Sequence, residues 1–317
     1  MFRRIIPLLC AVVLLWMPFR ALAFAIAPAT LDLSGQRGET IDGTIAVINN
    51  GSAEQTYYLG TLKFVPGEQS GTPSFIPFET DHSGLPEWIA FPVRTVAIPA
   101  NTKVDVPFTV TIPQNVASGT VYGAITVSTS PSDVVAANGA TIEAKMASLI
   151  FLTVEGETVD KLALLDFDAT NSGNTSLQLT RWFTFRVQNQ GNVVAVPTGT
   201  VTLVDALGRT VLSQPINQEQ SRVLPMTTRS FSGTIGPVPT SFGDELRSDV
   251  ANFAIGPVTA TLTIASGSKT LTKSSTYWTL PWHLLLTAAM AVVILLVLSK
   301  LLSRGRDRLG RIQPGQQ

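Results

Sequence analysis

Histidine is the side chain that most often carries acid–base chemistry near neutral pH, and this chain of 317 residues contains two. His283 lies in an apolar stretch near the C-terminus, so His82 would have to act alone. Its stretch, FETDHSGLPEW, also holds Glu79, Asp81 and Glu87, which could complete an acid–base or metal group. One imidazole with loop carboxylates lacks the ligand count of a specific zinc site. The stretch therefore favours a solvated loop between strands.

Two further stretches match known sites only in part. SGSK at 266–269 fits the S-x-x-K pattern of penicillin-binding enzymes, but the S-D-N and K-T-G motifs are absent. LDFDATNSGN at 165–174 brings Asp166 and Asp168 together as in a calcium loop, but its glycine comes too late and no bidentate Glu follows. We interpret the first as a tight hairpin and the second as a polar loop, with weak calcium binding near Asp166 and Asp168 left open. We expect no catalytic residue, metal or cofactor.

The N-terminus, residues 1–23, has the form of a secretory signal peptide. Arg3 and Arg4 precede an apolar stretch, Ile5–Met17, that is too short to span a membrane comfortably, and the segment ends in the small-residue box ALA. An uncleaved anchor is the alternative. Cys10 is the one cysteine of the chain and lies inside this stretch, so the exported part would have no disulfide or thiol chemistry.

A second membrane signal lies near the C-terminus. Residues 280–302 form an apolar run about 34 Å long as an α-helix, enough to cross a hydrocarbon core. A basic tail follows at 303–317, and the positive-inside rule predicts that it stays in the cytoplasm. A buried core helix is the alternative. The residues expected at the membrane interfaces are Trp278, Trp282, Lys300, Arg304, Arg306 and Arg308.

The part between these two signals is net acidic. From Phe24 to Thr279 it carries 14 Lys/Arg against 21 Asp/Glu, a net charge of −7. A nucleic-acid-binding protein needs a basic face, so we expect no nucleic acid partner. A signal peptide and one C-terminal helix predict a single-pass protein of the cell membrane, with its domains outside the cytoplasm and its C-terminus inside.

The exported part shows the alternation of half-buried strands. In KVDVPFTVTI at 103–112, polar residues alternate with apolar residues that share one face: Val104, Val106, Phe108, Val110 and Ile112. Similar stretches recur between turn residues, and no helical periodicity precedes the C-terminal run. The sequence predicts an all-β fold of two tandem immunoglobulin-like β-sandwiches, at 24–156 and 157–276, divided near the polar segment Glu155–Asp160.

Each predicted domain has an early apolar strand that ends in an amide-rich corner. The first corner contains Asn49, Asn50 and Gly51, and the second contains Asn189, Gly191 and Asn192. Asn side chains bond to nearby backbone groups, and Gly accepts conformations closed to other residues. We interpret the corners as turns in two copies of a similar sandwich, and an exposed amide site for sugar or peptide is the alternative.

The order of these parts resembles the WxL-interacting proteins of bacterial cell surfaces. FAIAPATLDLSGQRGETIDGTIAVINNGS is similar to the family's opening strand followed by N-x-(G/S). LPEWIAF and VAIPANTKVDVPFTVTIPQNVASGTVYGAITV are similar to the close of its first domain. FRVQNQGNVVAVPTGTVTLVDALGR and RVLPMTTRSF resemble envelope sandwich modules, and YWTLPWHLL resembles the helix entry. The resemblance implies a peptidoglycan-binding first domain and a host-binding second domain, and it transfers no site residue.

These features predict a non-enzymatic, membrane-anchored surface protein. It would bind an envelope protein partner or peptidoglycan through its immunoglobulin-like domains, at sheet edges and loop tips. The alternative is a structural accessory or chaperone-like subunit of an envelope complex or surface appendage. In that role the first domain would act like a pilus chaperone and offer a strand edge for pairing. The lack of a catalytic set opposes an enzyme.

Overall fold

The computed structural model describes residues 24–67, 72–77, 80–131, 145–169, 179, 181–236, 240–267 and 269–309. The predicted signal peptide and the end of the basic tail lie outside these described residues. The chain divides into two compact units between Glu157 and Thr158, and the segment Pro66–Thr72 is grouped with the second unit. These units are the first and second domains below.

The first domain is built from strands and one short helix: β1 (Phe24–Ala27), β2 (Thr30–Gly35), β3 (Thr40–Asn49), β4 (Gln55–Pro66), β5 (Pro73–Ile76), α1 (Leu85–Trp88), β6 (Ile89–Ala90), β7 (Thr95–Ile98), β8 (Thr102–Thr111), β9 (Gly119–Ser128) and β10 (Lys145–Val154). One sheet has the order β1-β3-β8-β6, and the other has the order β2-β10-β9-β4-β5 with β7 also on β4. These orders are the A-B-E-D and G-F-C layouts of an immunoglobulin sandwich.

The alternating residues of β8 form part of the core between these sheets. Val106 and Phe108 are 2% and 1% exposed, Val110 and Ile112 are fully buried, and Val104 packs at the margin. The predicted face of this strand is therefore confirmed. On the neighbouring strand β3, Gly43 lies opposite Phe108, and a Cβ at position 43 would come within 2.2 Å of the phenyl ring.

One N-terminal segment supplies an edge strand to both sheets of the first domain. β1 pairs antiparallel with β3, and β2 pairs parallel with β10. Two residues, Pro28 and Ala29, separate these strands, and the peptide bond Ala27–Pro28 is cis. The chain thus crosses from one sheet to the other within a few residues.

The second domain and the C-terminal helix contain the remaining elements: β11 (Leu162–Asp168), β12 (Arg181–Asn189), β13 (Thr198–Asp205), β14 (Thr210–Pro215), β15 (Thr228–Ile235), α2 (Phe242–Ala251), β16 (Gly256–Ser266), β17 (Lys269–Thr279) and α3 (Trp282–Leu309). The sheets have the orders β11-β12-β15 and β14-β13-β16-β17, which correspond to A-B-E and C′-C-F-G. The protein is therefore all-β with two immunoglobulin-like sandwiches, as predicted, followed by one long apolar helix.

The first amide-rich corner is a buried turn. Asn49 is 2% exposed, and its Oδ1 accepts the N–H of Gly51 at 2.8 Å. Its Nδ2 donates to the carbonyl oxygens of Ala53 and Ile98, both at 2.9 Å. The side chain therefore ties the end of β3 to the end of β7.

The second corner repeats this arrangement at the end of β12. Asn189 is fully buried, and its Oδ1 accepts the N–H of Gly191 at 2.9 Å. Its Nδ2 donates to the carbonyl oxygens of Val193 at 2.7 Å and Val223 at 3.0 Å. Both corners thus follow strand B of their sandwich, and their amides are used inside the fold. The turn interpretation holds for both.

The expectation that no helical periodicity precedes the C-terminal run is wrong for α2, which is longer than α1. Ser241 caps it, since its Oγ accepts the N–H of Asp244 at 3.2 Å and donates to the Asp244 carboxylate at 2.8 Å. The apolar residues Phe242, Leu246 and Val250 recur every four positions on one stripe, and none of them is buried. These residues contribute to neither hydrophobic core, and the stripe is only three residues long, so the sequence pattern did not indicate a core-facing helix.

Helix α3 contains the apolar run. Its stretch Trp282–Leu302 has 21 residues with a mean hydropathy of 2.5, and it is the one stretch among the described residues that is long and apolar enough to cross a membrane. The helix begins two residues after the predicted position 280. Leu280 and Pro281 instead form its entry, where the N–H of Trp282 donates to the carbonyl oxygen of Leu280 at 2.8 Å.

Candidate functional site

The loop around His82 is held together by an ion pair and hydrogen bonds. His82 Nε2 lies 3.6 Å from the carboxylate of Glu87, and 49% of each side chain is exposed. Asp81 accepts bonds from Lys63 Nζ at 2.5 Å and from the N–H and Oγ of Ser83 at 2.9 and 2.6 Å. The bond from Lys63 lowers the pKa of Asp81, and the two bonds from Ser83 lower it further. Asp81 and His82 therefore lie in a loop, as predicted, but the end of the same stretch, Leu85–Trp88, forms the short helix α1, and Leu85 is 1% exposed. Glu79 lies outside the described residues.

The SGSK stretch forms the hairpin between β16 and β17. Ser266 lies opposite Lys269 at its base, and Gly267 has a φ of +54°. Ser266 Oγ accepts the N–H of Leu162 at 3.0 Å. The serine thus joins two strands of the second domain, which is a structural use of the hydroxyl.

The carboxylate considered for calcium faces a cation of the protein. Asp166 lies opposite Arg186 on β12 and accepts a hydrogen bond from its Nε at 2.5 Å. This bond, together with the charge of Asp166, raises the pKa of Arg186. Both side chains are about half exposed, and a metal ion would have to displace the guanidinium. Asp168 ends β11, and the rest of the predicted loop lies outside the described residues.

Side chains bond to some backbone groups at the sheet edges of the second domain. Between β11 and β17, Ser275 Oγ accepts the N–H of Ala169 at 3.3 Å, and Lys273 Nζ donates to the carbonyl oxygen of Leu165 at 2.6 Å. Between β14 and β15, the amide of Gln214 bonds to the backbone at Thr234 and Gly236. Edge groups that already have partners are poor templates for another strand.

The first domain protects β8 in a different way. The sheet order places only β6 beyond β8, and β6 pairs with just two of its residues, Thr109 and Val110. Pro107 removes one backbone donor from this strand, and Lys103 forms a 3.4 Å ion pair with Asp105 next to it. Proline and charged residues are the usual means by which edge strands avoid pairing with other chains.

Strand β10 has an edge that is open at one end. On its inner side, Lys145–Val154 pair without interruption with β9. On its outer side, pairing with β2 begins only at Leu149. Ser148 is fully buried, and its Oγ donates to the carbonyl oxygen of Pro28 at 2.7 Å. Within the described part of the sheet, Met146 and Ala147 therefore have a neighbouring strand on one side only.

The backbone of Ala147 points to this open side. The N–H of Leu149 donates to the carbonyl oxygen of Ala29 on the outer side at 2.9 Å. Backbone groups two residues apart along a strand point the same way, so the N–H and C=O of Ala147 also point outward. The side chain of Met146, the residue before Ala147, is 38% exposed. Met146 and Ala147 are called the β10 edge.

A groove of about 810 Å³ adjoins the β10 edge at Lys145. Its floor includes Gly60 and Thr126, which lie opposite each other on β4 and β9 and face away from the core. The lining also includes aromatic, basic and acidic side chains: Phe75, His82, Glu87, Phe91 and Arg94. The groove therefore combines apolar rings with charged groups of both signs.

The structure describes most of the predicted interface residues at the membrane end. Trp278 is 66% exposed at the end of β17, and Trp282 is 42% exposed at the start of α3. Lys300 lies near the end of the apolar stretch. Three basic residues of the tail continue the same helix: Arg304, Arg306 and Arg308.

His283 joins α3 to α2. It is 1% exposed, its Nε2 lies against the carboxylate of Glu245, and its Nδ1 lies 3.2 Å from Asp249. Glu245 and Asp249 are four residues apart, so they share one face of α2. The Phe242 ring also contacts the imidazole edge-on, with a centroid distance of 5.3 Å.

Sequence reasoning missed this cluster and the β10 edge. Ser241 followed by Asp244 and Glu245 is an N-cap signal, and it could have revealed α2 and its pair of carboxylates. The β10 edge had no such signal, because it depends on the register between β2 and β10, more than 100 residues apart in the chain.

No family model matches this chain, and no curated protein matches it. Among solved structures, it is similar to the class 5 fimbriae chaperone CfaA, at 15% identity and a TM-score of 0.39 over 82% of this chain and 100% of the other. It is also similar to the E. coli chaperone DraB, at 10% identity and a TM-score of 0.38 over 81% of this chain and 98% of the other. A third similar structure is that of the Salmonella enterica SafB chaperone in complex with SafA pilin. The identity is 8% and the TM-score is 0.35, over 82% of this chain and 97% of the other. The fold assignment itself rests on the strand orders of the two domains.

Proposed function

We propose that this protein is a non-enzymatic, chaperone-like accessory protein of the cell envelope, exported and held at the membrane by α3. Its first domain binds an extended segment of an exported protein, which adds as a strand beside the β10 edge. One observation carries this proposal: Met146 and Ala147 pair with β9 but lie beyond the end of β2. At the other edges described above, side chains bond to some of the backbone groups, or proline and charged residues lie in the edge strand.

The chemistry of the edge favours a polypeptide over a wall polymer. An open strand edge presents N–H and C=O groups at the spacing of another strand, and this match gives the affinity in strand addition. A glycan has no such ladder, so the edge gives no support to peptidoglycan as the ligand. The resemblance to WxL-interacting proteins points to an envelope protein partner and stays a prediction.

The groove beside Lys145 supplies a basis for selectivity. Alternate side chains of an added strand point to the same face of the sheet, so every second residue of the partner reaches the groove or the region next to it. The rings of Phe75 and Phe91 suit apolar side chains, and Arg94 suits a carboxylate. We therefore expect partner segments with alternating apolar residues and an acidic group.

A peptide panel tests this proposal. The full chain in detergent is presented with extended ten-residue peptides that have alternating apolar residues with or without an Asp, together with scrambled controls. Binding is measured by fluorescence anisotropy, and hydrogen exchange locates it. We expect the patterned peptides to bind and to slow exchange of the Ala147 amide. If bound peptides protect other segments but not Met146 and Ala147, the proposal is wrong.

Two variants at one position separate backbone pairing from side-chain effects. Ala147→Pro removes the outward N–H but leaves the inward bonds of the neighbouring residues to β9, so it should weaken peptide binding by at least tenfold. Ala147→Val keeps the N–H and suits a strand, so it should bind within twofold of the parent chain. Equal binding by the two variants would contradict pairing at this edge.

A further inference from the structure

The end of the second domain from which α3 leaves can be identified from strand register. β13 ends at Asp205, which lies opposite Val258 near the start of β16. β16 begins at Gly256, opposite Thr279 at the end of β17, and α3 begins three residues later. The turn after β13, the segment before β16 and the entry to α3 therefore share one end of the domain, named the helix-proximal end below.

Large apolar side chains are exposed at this end. Leu207, at the tip of the turn after β13, is 90% exposed. Exposed fractions of 41% to 66% are found at five others: Phe242, Val250, Phe253, Ile255 and Trp278. The surface of a soluble monomeric protein rarely carries this many large apolar side chains together, and such patches usually mark a contact with another protein or with a membrane.

Hydrogen bonds and an ion pair hold these residues in place. Asp205 accepts the N–H of Leu207 at 3.0 Å and pairs with Arg209, which in turn donates from Nη2 to the carbonyl oxygen of Phe253 at 2.7 Å. His283 similarly holds α2 against the first turn of α3 through Glu245. The apolar tips are therefore presented from fixed backbone.

We propose that the helix-proximal end is a membrane-seating surface, with α2 lying along the bilayer and Leu207, Phe253 and Ile255 inserted at the headgroup level. The inference rests on the part of the proposed function in which α3 spans the membrane. A lipid surface is the occupant because α3 leaves this same end: a helix that enters the bilayer at Trp282 brings the apolar tips to the interface. Trp278 lies where amphipathic rings favour that interface.

The charges at this end predict which lipids it accepts. Acidic side chains outnumber basic ones at this end, and the six charged residues counted give a net charge of −2: Asp205, Asp244, Glu245 and Asp249 against Arg209 and Arg247. Contact with an anionic lipid therefore gains nothing from electrostatics. We expect seating through apolar contact alone, on zwitterionic lipid, without a requirement for anionic headgroups.

Fluorescent labels at three exposed positions test the seating. Leu207→Cys, Met226→Cys and Val293→Cys are each made in the full chain with Cys10→Ser, labelled with an environment-sensitive dye and reconstituted in phosphatidylcholine vesicles. Met226 is a matched control because it is 76% exposed but precedes β15, whose start lies opposite the end of β12, away from the helix-proximal end. Nitroxide lipids that carry the spin label near the headgroup or at mid-chain then report depth.

The expected order of quenching follows from the three positions. The Val293 label should be quenched most by the mid-chain nitroxide. The Leu207 label should be quenched at least threefold more than the Met226 label by the headgroup-level nitroxide, and addition of phosphatidylglycerol should not increase this effect. If Val293 is quenched but Leu207 behaves like Met226, or if quenching of Leu207 requires anionic lipid, the seating is wrong while the anchor stands. If Val293 is not quenched, the anchor and the seating are both wrong.

Discussion

Asn49 and Asn189 form the same pattern of hydrogen bonds in the two domains. Each accepts the N–H of the residue two positions on, and each donates to the carbonyl four positions on and to a distant carbonyl. Both are buried at the end of strand B, before the chain turns into strand C. Two domains with different sequences thus use one buried amide to fix the same corner.

Loss of this amide should destabilise the first domain. Asn49→Ala leaves the N–H of Gly51 and two carbonyl groups without their partner, so we expect the free energy of unfolding to fall by about 2–3 kcal/mol. Asn50→Ala changes the exposed neighbour and should alter it by less than about 0.5 kcal/mol. Urea titration of both variants measures the difference. Equal losses would show that the corner is not held by Asn49.

The contact between Gly43 and Phe108 should show coupled energetics. A Cβ at position 43 would overlap the buried ring, so Gly43→Ala should cost about 1–3 kcal/mol through overpacking. Phe108→Leu makes room at the same place, and the double variant should lose less stability than the sum of the single variants. Thermal unfolding of the four proteins completes the cycle. A strictly additive result would mean that the two positions do not meet.

The sequence predicted the elements with local signals. Alternation in β8 identified Val106, Phe108 and Val110 as core residues, because a strand buried on one face imposes a period of two. The asparagine and glycine of each corner predicted a turn, because these residues carry turn chemistry themselves. The alternating pattern and the turns together were sufficient for the immunoglobulin-like fold.

The parts that escaped prediction depend on contacts between distant residues. The β10 edge exists because β2 meets β10 at Leu149 and not at Lys145, a register that neither strand encodes alone. The cluster of His283 with Glu245 and Asp249 joins two helices that are separated by a β-hairpin. An isolated polar residue gives no sign of such a contact, so the sequence places His283 only in the apolar stretch near the C-terminus.

Acid should remove the stabilising effect of Asp205. This carboxylate accepts hydrogen bonds from the backbone N–H groups of Arg209 and Leu207 and from the Arg209 side chain. These bonds lower the pKa of Asp205, and the bond from the backbone N–H of Arg209 has the largest effect. A lowered pKa in the folded state stabilises the protein above the usual pKa of Asp, about 3.9, and this contribution is lost as pH falls through the folded pKa.

Comparison with Asp205→Asn measures this contribution. The parent chain should be more stable than the variant by a constant amount above about pH 5, and the difference should shrink progressively below about pH 4. Asp160→Asn, at an exposed position of the same domain, is the control. Chemical unfolding at a series of pH values provides the data. A difference between parent and Asp205→Asn that widened in acid would reverse the predicted sign.

Release of His283 should loosen α2. Glu245→Ala with Asp249→Ala removes both carboxylates that face the imidazole, and bonds to charged groups contribute about 1.5–3 kcal/mol. Hydrogen exchange of the α2 amides should therefore accelerate by at least tenfold. Arg247→Ala, on the same helix with 86% of its side chain exposed, should leave exchange within threefold. Similar exchange in the two variants would contradict the role of the cluster.

Strand addition at the β10 edge is the central claim, and photo-crosslinking in cells that make the protein tests it most directly. A photoreactive amino acid replaces Met146 in the full chain, and mass spectrometry identifies the crosslinked species and the site of attachment. We expect crosslinks to an extended segment of an exported protein, retained with Ala147→Val and reduced at least tenfold with Ala147→Pro. Crosslinks to glycan, or a protein crosslink that Ala147→Pro leaves unchanged, would contradict the claim.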